Sequence, residues 1–304
     1  MPHLPLNLPL PKLERLTFTT APGVTLACRA CGPVDAPRLL FLHGFPEASF
    51  VWEDVMARFG QRWRCLAPDL RGYGESSAPT EVAAYRAKHL VADLAALVEQ
   101  TGPGPLHALV AHDWGGALAW NMAAQRPELL QRLIIINSPH PALFLRELAL
   151  NPAQQAASAY MNDLAAPDAE SVYAANDFAR LFELLTHQGG SEAWLDAAEK
   201  ARYREVWSRG LTGALNYYRA SPLRPPTAGD PGASAVQLPS ELVTVRVPTL
   251  VIWGEADTAL PPSLLDGLEA YVPALRIERV PGGTHWLLHE QPERVAALIE
   301  TGLD

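Results

Sequence analysis

Residues 108–123, ALVAHDWGGALAWNMA, decide how the rest of the chain is read. A continuous apolar run, Ala108 to Ala111, stops at His112-Asp113 and resumes beyond Gly115-Gly116 with helical spacing. Such a run suits a strand buried on both faces of a parallel sheet, and paired glycines let backbone approach backbone where a strand turns sharply into a helix. Asp113 at that corner has two readings. Asp is a favoured helix N-cap, which makes it structural. In the nucleophile elbow, G-x-S-x-G, the same turn lifts one side chain above the sheet. Here A-H-D-W-G puts a carboxylate where serine stands and alanine at the first glycine.

Short apolar runs of the same kind recur at 38–44, 64–69, 129–138, 248–257 and 275–282. Two earlier segments, LERLTFTT and VTLACRA, alternate across a Pro22-Gly23 turn and predict an antiparallel pair. Helical patterns fall between: Phe50–Phe59, Val82–Gln100, Gly116–Gln125, Ser263–Tyr271 and Pro292–Thr301. Leu90, Leu94, Leu97 and Val98 give the second of these a sheet-facing stripe. Strands alternating with helices predict an α/β, doubly wound, mostly parallel sheet, of eight strands when the first pair is included.

One interval departs from the alternation. Residues 139–246 hold no convincing strand but show helical patterns at 152–164, 174–186, 192–204 and 213–219, then the Pro/Gly-rich SPLRPPTAGDPGASAVQLPS. This reads as a helical cap inserted into a core made of 1–138 and 247–304. Ligands of open α/β sheets bind beyond the carboxyl ends of the strands, so a cap lying there encloses the site and excludes water.

Composition narrows the function classes. A formal charge of −9, with no basic stripe, gives no support to nucleic-acid binding. The N-terminal MPHLPLNLPLPKLERL lacks a basic segment followed by an unbroken apolar stretch, and reads as an extended lead-in rather than a signal peptide. No run reaches the length of a membrane span, so the expectation is a cytoplasmic, non-membrane protein. Cys28, Cys31 and Cys65 lack the spacing of a zinc site, and no metal or cofactor is expected.

Two later motifs bear on Asp113. WGEADTAL puts Asp257 at the end of a late strand, and PGGTHWLLHEQPE puts His285 in a loop after the last one. Nucleophile, acid, histidine is the chain order of the α/β-hydrolase triad. In LFLHGFPEAS the backbone N–H of Phe45, with that of Trp114, is placed to form an oxyanion hole. Glu47, ahead of a helix, reads as a cap residue, and His43 and His112 as holders of loop backbone. Glu75 and Ser76 read as loop supports.

With HGFPE, PDLRGYGESS, HDWGG, WGEAD and GGTHW in hand, the chain resembles the α/β-hydrolase superfamily, and within it the epoxide hydrolases and haloalkane dehalogenases. The resemblance implies that Asp113 attacks a saturated carbon to give an alkyl ester, and that His285, held by Asp257, activates water to hydrolyse it. Water is then the second substrate. In epoxide hydrolases two cap tyrosines donate the proton to the opening ring. Tyr160, in NPAQQAASAYMNDL, and Tyr218, in NYYRAS, stand where the resemblance expects them; Tyr217 is read as structural. Haloalkane dehalogenase is the alternative, with the Trp114 indole as a halide donor, although Phe45 stands where an asparagine is usual. Trp194 and Trp207 are unmatched cap tryptophans. A non-catalytic homologue binding a small apolar ligand is the third reading. Phe178, Phe182 and Trp207 suggest either an apolar lining for the substrate or the cap's own core. The expected partner is a small apolar epoxide, with the chain a monomer or homodimer.

Overall fold

The structure, a computed structural model, describes residues 12–187 and 192–304; the proline-rich lead-in over 1–11 lies outside the described residues. Eight strands form one sheet: Glu14–Ala21 (β1), Val24–Cys31 (β2), Arg38–Leu42 (β3), Arg64–Pro68 (β4), Ala108–His112 (β5), Leu133–Ile136 (β6), Thr249–Gly254 (β7) and Leu275–Val280 (β8). Their spatial order is β1-β2-β4-β3-β5-β6-β7-β8. The pairs β1–β2 and β2–β4 are antiparallel, and every other pair is parallel.

The central strands are buried at every position because both sheet faces are covered, and their polar residues, Arg38, Arg64, His112 and Thr249, stand only at strand ends. Successive side chains point to opposite faces. Leu40, Leu42, Leu109, Ala111, Leu133 and Ile135 enter one core, and Leu39, Phe41, Ala108, Val110, Ile134 and Ile136 enter the other. The first core is covered by Ala87–Gln100 (α2) and Asp113–Gln125 (α3), the second by Glu53–Phe59 (α1), Leu287–Glu290 (α11) and Pro292–Thr301 (α12). The α2 stripe of Leu90, Leu94, Leu97 and Val98 is buried as its spacing predicts.

Between β6 and β7 the described chain is helical. It comprises Pro141–Leu150 (α4), Pro152–Ala157 (α5), Tyr160–Ala165 (α6), Ala169–His187 (α7), Ala197–Trp207 (α8), Thr212–Ala220 (α9) and Ser240–Val243 (α10). Three details differ from the periodicity. α4 lies ahead of the first helical pattern read in this interval; Pro141 sits at its first turn, where a missing N–H costs nothing. The helix expected over 174–186 is broken at its start, where Asn176, Asp177 and Phe178 all have positive φ. The helix expected over 263–271 is two short 3-10 turns, because Gly267 at φ 90° separates them. Among the described residues no helix is long and apolar enough to cross a membrane.

Candidate active site

The β5–α3 corner is built by close backbone approach. Asp113 has φ 49°, a left-handed conformation that costs a non-glycine residue on the order of 1–3 kcal/mol and persists only where neighbours enforce it. A Cβ on Gly115 would lie 2.6 Å from the Leu42 and His43 carbonyl oxygens, and one on Gly44 would lie 2.4 Å from the Asp113 Cβ. Only glycine fits at both places. The Asp113 side chain faces away from a capping role: its Oδ1 accepts the Phe45 N–H at 2.7 Å. Ser138, at the end of β6, donates to the Asp113 carbonyl at 2.7 Å.

The other two polar residues predicted at strand ends converge on Asp113. His285 Nδ1 donates to Asp257 Oδ2 at 2.8 Å, and its Nε2 stands 3.7 Å from Asp113 Oδ2. Asp257 is fixed in turn: Oδ1 accepts the Ala259 and Leu260 N–H groups at 3.0 and 2.8 Å, and Oδ2 also accepts from Asn137 Nδ2 at 2.7 Å. Asn137 was not anticipated. It sits just past β6 at φ 41°, and its own Oδ1 accepts the Gly254 N–H at 3.0 Å. The signal was present in IIINS, a fourth apolar run ending on a polar residue.

Burial opposes charge on His285, but the attraction and hydrogen bond of Asp257, with the charges of Asp113 and Glu47, outweigh it and raise the imidazole to about 9. At neutral pH this histidine is therefore an imidazolium.

Glu47 is not a helix cap. It is fully buried and accepts from His289 Nε2 at 2.5 Å, Tyr203 Oη at 3.1 Å and His112 Nδ1 at 3.3 Å. Burial works against its charge, yet His289 and the hydrogen bonds from His112 and His289 hold the carboxyl well below the usual range. The other ring nitrogen of His112 donates to the His285 carbonyl at 3.0 Å. One carboxylate thus ties the loop after β3, the end of β5, the His285 segment and cap helix α8. His43 serves backbone, donating from Nδ1 to the Gly44 carbonyl at 2.9 Å and accepting the Leu70 N–H on Nε2 at 3.0 Å. Ser76 donates to the Asp69 carbonyl, and Glu75 pairs with Arg15 and Arg209 at the surface.

Above Asp113 the cap contributes two phenols. Tyr218, on α9, is buried, and its ring packs edge-on against Phe45 and Trp114 at 5.0 and 5.2 Å. Burial pushes its hydroxyl well above the ordinary tyrosine range, against a hydrogen bond from the Trp114 side chain. Tyr160 opens α6, with its ring 6.4 Å from that of Tyr218. Tyr217 turns the other way and donates to the Arg71 carbonyl at 3.0 Å.

Asp113, Trp114, Tyr160 and Tyr218 line a cavity of about 250 Å³, whose remaining walls are mainly apolar. Pro222, Leu223, Val236 and Leu238, from the Pro/Gly-rich stretch, are among them. Phe178, Phe182 and Trp207 are not. The two phenylalanines pack on the Trp207 ring at 5.6 and 4.8 Å, and the Trp207 indole donates to the Pro46 carbonyl at 2.7 Å. Of the two uses the sequence left open for these rings, the geometry matches cap packing and not pocket lining. Among the described residues no group of three or more His, Cys, Asp or Glu side chains is arranged to hold a metal ion.

Comparison with known proteins gives the same picture. The α/β hydrolase fold family model matches residues 37–292. Epoxide hydrolase 4 of Mus musculus is 34% identical over 89% of this chain and 74% of its own length. Among solved structures, a study of novel epoxide hydrolases in metagenomes from hot environments provides a chain 38% identical, with TM-score 0.85 over 96% of this chain and 98% of that one. An epoxide hydrolase of Bacillus megaterium in complex with an inhibitor is 31% identical, with TM-score 0.86 over 95% and 99%. This chain, with an aspartate at its elbow, belongs to the α/β-hydrolase superfamily and, within it, to the epoxide hydrolase family.

Proposed function

We propose that the protein hydrolyses small apolar epoxides to vicinal diols through an ester on Asp113. The observation that carries this reading is the pairing of Tyr160 and Tyr218 across one cavity from the Asp113 carboxylate, with the His285-Asp257 pair behind it. An Asp113 oxygen attacks a ring carbon, the carbon–oxygen bond breaks, and the departing oxygen takes a proton from the phenols. The Tyr218 hydroxyl, pushed well above the ordinary tyrosine range by burial, remains protonated until that moment, as a donor must.

Esterification removes the Asp113 charge, one of the influences that raise His285. The imidazole then gives up its proton more readily, which restores the one the phenols lost, and acts as base; the order of events is thus coupled to charge. Water attacks the Asp113 carbonyl carbon, the tetrahedral oxygen forms where the Phe45 amide already donates, and the alkyl oxygen leaves as the second alcohol. Protons balance. Ring opening consumes one proton and one carboxylate, and ester hydrolysis returns both, the proton to His285.

Halide displacement is disfavoured because neither cap tryptophan lines the cavities at Asp113. The Trp207 indole is committed to Pro46, and Trp194 stacks on His289 at 4.2 Å. The test is the intact mass of His285→Gln after exposure to styrene oxide and, separately, to a 1-bromoalkane. A stable adduct from the epoxide, lost when Asp113→Ala is added, is expected. An adduct from the bromoalkane alone refutes the reading.

A further inference from the structure

Two chambers meet at Asp113, Tyr160 and Tyr218. The larger, of about 250 Å³, runs past Trp114, Leu118, Phe144 and Leu223. The smaller, of about 10 Å³, lies on the His285 side and is lined there by Phe45, Pro46, Leu184 and Trp286. A space of roughly 10–15 Å³ holds a single water sphere. The small chamber is therefore the size of the water that His285 must activate, and of nothing more.

An epoxide held with its oxygen under the phenols and one carbon against Asp113 projects its substituents to either side. One side has room for an aryl or branched alkyl group. The other has room for hydrogens and one water. Building on the epoxide reading, we propose that this protein is selective for terminal epoxides with a single bulky apolar arm, and that Leu184 sets the limit. Of the small chamber's walls, Phe45, Asp113, Tyr160, Tyr218 and His285 belong to the proposed chemistry, Pro46 is held through its carbonyl by the Trp207 indole, and Trp286 is embedded in the core. Leu184 is a half-buried side chain on cap helix α7 that touches none of those roles. A second large substituent has to displace either this side chain or the hydrolytic water.

The experiment compares phenyl glycidyl ether, which has one arm, with trans-stilbene oxide, which has two, on the wild type and on Leu184→Ala. Steric exclusion of a whole ring exceeds the effect of one methylene, so the wild type is expected to favour the glycidyl ether by about 100-fold or more in kcat/KM. Leu184→Ala is expected to raise trans-stilbene oxide turnover by at least about tenfold and leave the glycidyl ether within about threefold. Leu184→Val should fall between, and carries the test if the alanine variant does not fold. Wild-type turnover of both epoxides within about tenfold of each other overturns the selectivity alone. So does a variant active on the glycidyl ether with no gain on trans-stilbene oxide. If the wild type turns over neither and His285→Gln takes no adduct from phenyl glycidyl ether, the epoxide reading falls and the selectivity with it.

Discussion

The core and the cap present side chains to one cavity by different means. On the core side, Asp113, Asp257, His285 and Asn137 follow strand ends and are held by directional hydrogen bonds of 2.7–3.0 Å. On the cap side, Tyr160 and Tyr218 stand in a cluster of rings with each other, Phe45 and Trp114. Hydrogen bonds fix atoms to within tenths of an ångström, whereas aromatic packing fixes a ring's plane and tolerates small shifts. In the proposed mechanism the core thus fixes which atoms react, and the cap decides what is brought to them.

That contrast breaks most visibly at the nucleophile. Asp113→Ala should lower turnover by about 10⁴-fold or more without loss of fold, read by single-turnover kinetics; retention of activity would mean that another residue attacks. Removing one cap phenol is a smaller loss. Tyr218→Phe is expected to cost about 100-fold in the rate of ester formation while leaving ester hydrolysis nearly unchanged. Equal slowing of both steps would make the tyrosine a packing residue. Smaller again is Asn137→Ala, expected to slow ester hydrolysis about tenfold and to cost about 2 kcal/mol of stability, because Asp257 loses a charged hydrogen bond and the Gly254 N–H is orphaned.

Thermodynamic linkage sharpens the core side without substrate. His285 is raised in the folded protein from its ordinary value of 6.5 to about 9. Its contribution is present in full below pH 6.5 and is lost as pH rises through 9, where the folded protein also gives up the proton. Denaturation of the wild type should therefore show a decline on the order of 3 kcal/mol across that window that His285→Gln lacks. Parallel pH profiles would contradict the coupling to Asp257. The smallest effect on activity belongs to the cap's own packing: Phe182→Ala should lower stability by about 2 kcal/mol and leave kcat/KM within about threefold. A KM rise of tenfold or more would return this ring to the substrate pocket.

Legibility in the sequence follows the same division. The sheet was readable because strands buried on both faces must be apolar between their ends, so the residue at which the run stops stands out; His112-Asp113, Gly254 ahead of Asp257, and the segment after Val280 were all found that way. Asn137 ends such a run too, but asparagine beside Ser138-Pro139 also fits an ordinary turn. Glu47 misled for the opposite reason: a glutamate ahead of a helix has a local explanation, and only the fold brings His112, His289 and Tyr203 to it. In the cap, helices were recognisable by period, yet period does not say which aromatic faces the cavity. Phe178, Phe182 and Trp207 found their partners in one another. The cavity walls at Val236 and Leu238 come from a stretch with no period at all.

The Glu47 junction bears on how such proteins can be recombined. A cap transplanted from a relative onto this core would have to carry a donor where Tyr203 reaches Glu47 and another where Trp207 reaches the Pro46 carbonyl. A graft lacking them leaves buried acceptors short of partners directly behind His285. The cap is exchangeable only along a seam that includes α8, so variation in substrate choice is expected to concentrate in α4–α7 and the 221–240 stretch, where the walls can change without disturbing that carboxylate.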